Sequence, residues 1–276
     1  MPDRSLVLIE DAEDPRIAEF RGVRERDLVL RQERFVAEGT VVLRMLAAAH
    51  AAGSARAEKI LVLKNRVQGV SDILDRFPAE VPVYVAEAEV IDQIAGFHLH
   101  RGVLALGRRA PQPALGDLLT GLGSPTLVLV GCGISNHDNI GSMFRNAAAF
   151  SVDAVLLDET CCDPLYRKAI RVSVGSVLSV PYHRGGSTQV LLSQLAEAGF
   201  AIWALSPAGD TELRDLPRSD RMALVMGTEG EGLPAEVLRA YKSVRIAQSR
   251  GLDSLNVGTA AGIALYGAAL AQGRIG

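Results

Sequence analysis

A chain of 276 residues suits one large domain or two modest ones, at about 150 residues per domain. Its 48% hydrophobic and 22% charged content are those of a globular protein and exclude a disordered or fibrous one. A formal net charge of −3 excludes a globally basic nucleic-acid binder, so contact with RNA would need a local basic surface. No apolar run approaches the roughly 20 residues of a membrane helix, and no membrane partner is expected. Met1-Pro2-Asp3-Arg4 lacks the basic start and apolar stretch of a secretory signal, so a cytoplasmic location is expected. Cys132 stands alone and Cys161 and Cys162 are adjacent, which gives neither a disulfide framework nor a C-x-x-C metal pattern. They read as buried apolar thiols, and no metal is expected.

In chain order, the first feature is a run of arginines, Arg21, Arg24, Arg26, Arg31 and Arg34, interleaved with Glu19, Glu25, Asp27 and Glu33. It reads either as a basic surface for RNA or as a solvated face. Val42, Met45, Leu46 and Ala49 recur at helical spacing, and Gly53 ends that helix. Strands are predicted at 60–63, 81–85 and 103–106, with a short helix carrying Val90, Ile91 and Ile94 between the last two. A small sheet flanked by helices satisfies them. The stretch from Gly107 to Pro113 is rich in proline and charge and reads as a linker, separating domains of 1–106 and 114–276.

Beyond it the alternation of strand and helix is regular. A strand at 127–130 precedes a helix burying Ile140, Phe144 and Ala147, and a strand at 154–157 follows. Asp163-Pro164 reads as a helix start, with the aspartate as N-cap. A helix from Val190 is closed by Gly199. Strands at 201–205, 223–226 and 244–246 lead to a small-residue helix from about Asn256. Apolar strands separated by helices predict an α/β domain with a parallel sheet covered on both faces. Ligands of such sheets sit outside the carboxyl ends of the strands, which directs attention to three loops.

The first is Asn139-Ile140-Gly141-Ser142-Met143-Phe144-Arg145. Asn139 fits an N-cap, and Arg145 lies about 9 Å further along the helix, off its apolar face. Its guanidinium is free for a phosphate or ribose, or is simply an exposed arginine. The second is Gly227-Thr228-Glu229-Gly230-Glu231-Gly232-Leu233-Pro234. Its glycines permit a tight turn and close ligand approach, while its carboxylates argue against phosphate and suit a sulfonium or an amine. A plain strand–turn–helix connector is the alternative. The third runs from Ile246 to Val257, where Ser254 and Asn256 place a hydroxyl and an amide at a helix start. Either an N-cap or a ligand contact would use them. The face with Gly258, Ala260, Ala261, Gly262, Ala264 and Ala268 calls for close packing against another helix or a second subunit.

In order and position these segments resemble the three motifs of the SpoU (TrmH-like) RNA ribose methyltransferases of the SPOUT superfamily. The matching residues are Asn139, Gly141 and Arg145, then Gly227, Glu229, Gly230, Gly232 and Leu233, then Ser254, Leu255, Asn256 and Val257. The amino-terminal region is similar to the ribosomal-protein-like RNA-binding module of many members, at Phe35-Val36-Ala37-Glu38-Gly39 and Phe97-His98-Leu99-His100-Arg101-Gly102. The chain departs from the family at Ala247-Gln248, where Pro-Met is usual beside the adenine site. The resemblance implies a deep trefoil knot in the carboxy-terminal domain, a homodimer with a site completed across its interface, and S-adenosylmethionine as cofactor. It implies cofactor contacts at Leu205, Gly227, Gly232, Ile246 and Leu255. It implies methylation of a ribose 2′-hydroxyl, with Arg145 either activating that hydroxyl or clamping the adjacent phosphate, and with Asn139, Glu229, Ser254 and Asn256 orienting the reactants. Arg24, Arg26, Arg31 and Arg101 are the residues the amino-terminal module would turn to RNA. Ribosomal RNA is favoured over transfer RNA through that module.

Other classes fit less of the sequence. A non-catalytic RNA-binding or ribosome-assembly protein on the same scaffold draws support only from Ala247-Gln248. A nicotinamide dehydrogenase lacks the third glycine of its fingerprint at Gly131-Cys132-Gly133. His98 and His100 have no further ligands nearby and read as strand or turn residues.

Overall fold

The computed structural model describes residues 5–21, 25–95, 102–249 and 254–275. In chain order the first elements are β1 (Leu6–Ile9), α1 (Glu25–Gln32), β2 (Arg34–Glu38), α2 (Thr40–Ala52), β3 (Ala55–Leu63), α3 (Ser71–Leu74), β4 (Val83–Ala86), α4 (Ala88–Ala95) and β5 (Val103–Arg109). Then come α5 (Leu115–Gly121), β6 (Thr126–Gly131), α6 (His137–Ala149), β7 (Ala154–Leu157), α7 (Arg167–Val172), β8 (Tyr182–Arg184) and α8 (Thr188–Glu197). The last are β9 (Ala201–Leu205), β10 (Thr211–Glu212), β11 (Arg221–Met226), α9 (Ala235–Ala240), β12 (Lys242–Arg245) and α10 (Val257–Ala271). They form two compact units, Met1–Pro111 with Leu165–Ser179, and Gln112–Pro164 with Val180–Gly276. Among the described residues no helix is long and apolar enough to cross a membrane.

The first unit is built on a five-stranded sheet in the order β1-β4-β3-β5-β2, antiparallel where β5 meets β3 and β2. Its core packs Ile17, Phe20, Leu28, Ile91 and Ile94 against Leu61, Tyr84, Leu104 and Leu106 of the strands. Strand β5 runs on to Arg109, past the expected start of the linker. Gly107 explains the difference: it pairs with Phe35, and a Cβ there would lie 2.4 Å from the Phe35 ring. The glycine makes room for an aromatic side chain rather than for a bend.

The segment Leu165–Ser179 belongs to this unit, although its sequence falls within the carboxy-terminal half. Asp163-Pro164 opens a turn, not a helix; Asp163 is buried, and α7 begins at Arg167 with no side-chain cap. What draws the segment in is charge and burial together. Glu38 is only 7% exposed and needs a partner, which the Arg167 guanidinium supplies at 3.0 Å, while Ala169 and Ile170 are fully buried.

The second unit has a seven-stranded sheet in the order β10-β12-β9-β11-β6-β7-β8, every pair parallel. Val128, Val130, Ala223 and Val225 pack with residues of α5, α8 and α9. The alternate residues Leu127, Leu129 and Leu224 are equally buried, as a sheet covered on both faces requires. Helices α6 and α10 lie side by side. A Cβ on Gly258 would come 2.6 Å from that of Ser142, and one on Gly262 3.0 Å from Nδ2 of Asn146. The Asn146 amide donates to the Gly258 carbonyl at 2.8 Å. The small residues of α10 thus serve contact with α6 inside one chain, and of the two partners expected for them the structure shows another helix.

Candidate active site

The carboxyl ends of β9, β11 and β12 meet at one edge of the second unit's sheet. After β11 the chain folds back on itself, with Thr228 and Gly232 exchanging two backbone hydrogen bonds of 3.2 Å. Gly232 sits at φ +72°, which glycine adopts without the Cβ penalty. At Gly227 the requirement is spatial, because an added Cβ would lie 2.3 Å from the Gly232 carbonyl carbon. This loop, with Leu205 at the end of β9, Ser206 and Pro207 after it, and residues of the β12–α10 connection, walls a cavity of about 240 Å³. Leu205, Gly227, Gly232, Ile246 and Leu255 all line it, as do Glu229 and Ser254. Ser206, Pro207 and Leu238 also line it and were not foreseen, and so do Thr228, Leu233, Gln248 and Val257, which the motifs and the broken turn name without assigning them to a ligand. Gln248 stands in the wall at the very turn where the family pattern is broken.

Three polar side chains from three separate stretches meet beside this cavity. The Asn139 amide donates to Oε1 of Glu229 at 2.7 Å. The Asn256 amide donates to the same oxygen at 2.8 Å and to Oδ1 of Asn139 at 2.9 Å. Asn256 also caps α10, its Oδ1 accepting from the Thr259 amide at 3.2 Å, so the cap and the cluster use opposite ends of one side chain. Asn139 is not the N-cap of α6. Asn136 takes that role by accepting from the Asp138 amide at 2.8 Å, which leaves Asn139 inside the first turn, 3% exposed, with its amide directed to Glu229.

Arg145 is exposed on α6, does not line the cavity, and makes no hydrogen bond or ion pair among the described residues. In the first unit Arg26 is exposed on α1, and Arg31 is 80% exposed and paired with Asp27 at 3.3 Å. Arg34 is bound to Glu58 at 2.8 Å, so part of the arginine run is matched by acids. Arg24 and Arg101 lie outside the described residues, as do His98 and His100.

Sequence reasoning missed Asp158, which organises the neighbouring loops. It lies directly after β7 and is 4% exposed. Its carboxylate accepts from the Gly133 amide, from the amide and hydroxyl of Thr160, from the Cys161 amide and from the Thr188 hydroxyl. Burial alone would raise its carboxyl; the bonds from Thr160, Thr188, Gly133 and Cys161 outweigh burial and hold it below the usual range. Its contribution to stability is therefore present above the ordinary carboxylate pKa and lost as pH falls through the lowered value. A strand-end aspartate with a threonine two residues on was the available signal. Burial pushes the thiols nearby away from the reactive thiolate form, Cys132 up to about 12 and Cys162 up to about 11.

A parallel α/β domain with a glycine-walled cavity at its strand ends and an amide-held carboxylate beside it is a small-ligand site with the equipment for group transfer. A model of the SpoU rRNA Methylase family matches residues 126–266. An uncharacterised tRNA/rRNA methyltransferase of Mycobacterium tuberculosis, strain H37Rv, is 41% identical over 270 residues, spanning 93% of this chain and 89% of that protein. The 23S rRNA (guanosine-2'-O-)-methyltransferase RlmB of Escherichia coli K12 is 28% identical over 220 residues, 76% of this chain and 89% of its own length. Among solved structures, the AdoMet-bound rRNA methyltransferase of Sinorhizobium meliloti superposes with a TM-score of 0.78 at 24% identity, covering 95% of this chain and 97% of that one. The chain belongs to the SpoU rRNA methylase family.

Proposed function

We propose that this protein transfers a methyl group from S-adenosylmethionine to a ribose 2′-hydroxyl of RNA, with ribosomal RNA favoured over transfer RNA, and that it does so in the cytoplasm. The carrying observation is the cluster of Asn139, Glu229 and Asn256 beside a cavity lined by all five expected cofactor residues. The cavity fits the methyl donor. Leu205, Leu233, Leu238, Ile246, Leu255 and Val257 offer an apolar wall for an adenine ring, and Glu231 suits a sulfonium or ammonium charge. At Gly227 the loop's own backbone leaves no room for a side chain, since a Cβ would lie 2.3 Å from the Gly232 carbonyl carbon. When bound, the donor supplies a methyl group activated by a positive sulfur. The protein's part is to align the ribose and to handle one proton and the developing oxyanion. Arg145, exposed and without an ion pair among the described residues, is suited to clamp a phosphate and stabilise that oxyanion. The loops of the cavity are those that the family's trefoil knot would comprise. The named substrate of the Escherichia coli relative and the ribosomal-protein-like first unit support ribosomal RNA.

The test is to map 2′-O-methyl positions in ribosomal and transfer RNA from cells with and without the gene. One ribosomal position should lose its methyl group and regain it with purified protein and S-adenosylmethionine in excess chelator. An unchanged map together with no calorimetric binding of the cofactor would leave the non-catalytic alternative.

The functional species is proposed to be a homodimer. Since Gly258 and Gly262 are used against α6, the face left for a second copy carries Ile263, Tyr266 and Leu270, each exposed and recurring at helical spacing. Sedimentation should report twice the 29.4 kDa chain mass, and the double substitution Ile263→Asp, Tyr266→Asp should halve it without unfolding the chain. A fully active monomer would contradict this.

A further inference from the structure

We propose that Glu229 is the base that takes the proton of the attacking ribose hydroxyl; this rests on the reading of the protein as a 2′-O-methyltransferase. Glu229 lines the cavity, and its Oε1 is held by two amides, from Asn139 at 2.7 Å and Asn256 at 2.8 Å. Its Oε2 has no partner among the described residues. The holding groups are themselves fixed. Asn139 is 3% exposed, and the Asn256 amide is oriented by its cap to Thr259 and by its bond to Asn139. One carboxylate oxygen is therefore anchored, and the other is left without a hydrogen bond among the described residues, on a side chain that lines the cavity. That is the geometry a general base needs before substrate arrives.

Other groups are less suited. A guanidinium has five donors and no acceptor, so Arg145 can stabilise an oxyanion but has no lone pair to take a proton. Glu231 is the other carboxylate of the cavity wall, but it accepts no hydrogen bond among the described residues that would hold it in place. In the first turn of α6, which carries Asn139, the ionisable residues are His137 and Asp138, and neither lines the cavity. In the step itself the 2′-oxygen bonds to the methyl carbon as the sulfur–methyl bond breaks. The bonding pair stays on sulfur, which becomes a neutral thioether, and the hydroxyl proton passes to Oε2 of Glu229.

Glu229→Gln separates proton acceptance from positioning, since its amide oxygen can still accept from Asn139 and Asn256. Calorimetric binding of S-adenosylhomocysteine should stay within about 2-fold of wild type, while single-turnover transfer to ribosomal RNA falls by about 10²–10⁴-fold. Glu229→Ala should lose the same activity and regain part of it in added formate, which restores a carboxylate to the space vacated. Arg145→Ala should not respond to formate. Near-normal turnover in Glu229→Gln overturns the assignment, and so does a Glu229→Ala protein that binds cofactor but gains nothing from formate. A wild-type protein that methylates no RNA would instead remove the functional reading on which the assignment stands.

Discussion

Arg145→Ala should lower methyl transfer by about 10²–10⁴-fold while cofactor binding stays within about 2-fold of wild type. The separation of the two effects follows from where the residue lies. Arg145 is outside the cavity wall, exposed on α6 and without an ion pair among the described residues, so its loss removes no contact that shapes the cofactor site. An exposed helical substitution of this kind changes stability by only about 0.5 kcal/mol, so loss of rate cannot be laid to unfolding. What it removes is a planar fork of donors, about 9 Å along the helix from Asn139, able to hold two phosphate oxygens at once. Arg145→Lys should remain impaired, because a point charge does not reproduce that fork. Single-turnover assays beside calorimetry would check both halves, and normal turnover in the alanine variant would remove Arg145 from the mechanism.

Gly227→Ala should abolish measurable cofactor binding, with affinity weakened at least about 100-fold, a loss of about 2.7 kcal/mol. The obstacle to a methyl group there is the backbone of Gly232 and Leu233. Its Cβ would lie 2.3 Å from the Gly232 carbonyl carbon and 2.4 Å from the Leu233 nitrogen, and neither can turn away as a side chain could. The loop must open, and the paired amides of Thr228 and Gly232 must part. Gly230→Ala is the control. Its φ of +95° strains an alanine, but nothing lies within 4 Å of the new methyl, so the loop should keep its closure. Calorimetry with S-adenosylhomocysteine distinguishes the two, and equal binding by Gly227→Ala and wild type would show that this loop does not form the cofactor wall.

Much of the second unit was legible because its strands are continuous apolar runs and its loops carry punctuating glycines. Strands at 127–130, 154–157, 201–205 and 223–226 fall within β6, β7, β9 and β11. The short edge strands β8 and β10 escaped notice, since Tyr182-His183-Arg184 and Thr211-Glu212 have no hydrophobic pattern to read. The site was legible in its residue types but not in its arrangement. Nothing in local spacing says that Asn139 and Asn256, 117 positions apart, share a hydrogen bond, or that Asn136 would free Asn139 by taking the cap. Asp158 was overlooked for a related reason. A buried aspartate looks like a strand-end turn residue until its donors, scattered from Gly133 to Thr188, are brought together by the fold.

The membership of Leu165–Ser179 in the first unit bears on how the protein is made. As the chain leaves the ribosome, the first 111 residues hold all five strands of their sheet but lack the Arg167 guanidinium that neutralises buried Glu38, and lack Ala169 and Ile170. At roughly 5–20 residues per second, several seconds of synthesis separate the last of those strands from the helix that completes the unit. During that interval β6, α6 and β7 emerge before their own sheet can close, for β9, β11 and β12 are still unmade. Neither unit can therefore be finished strictly before the other has begun. A gene cut between residues 111 and 112 would yield one fragment missing its closing helix and another carrying that helix without the unit it completes.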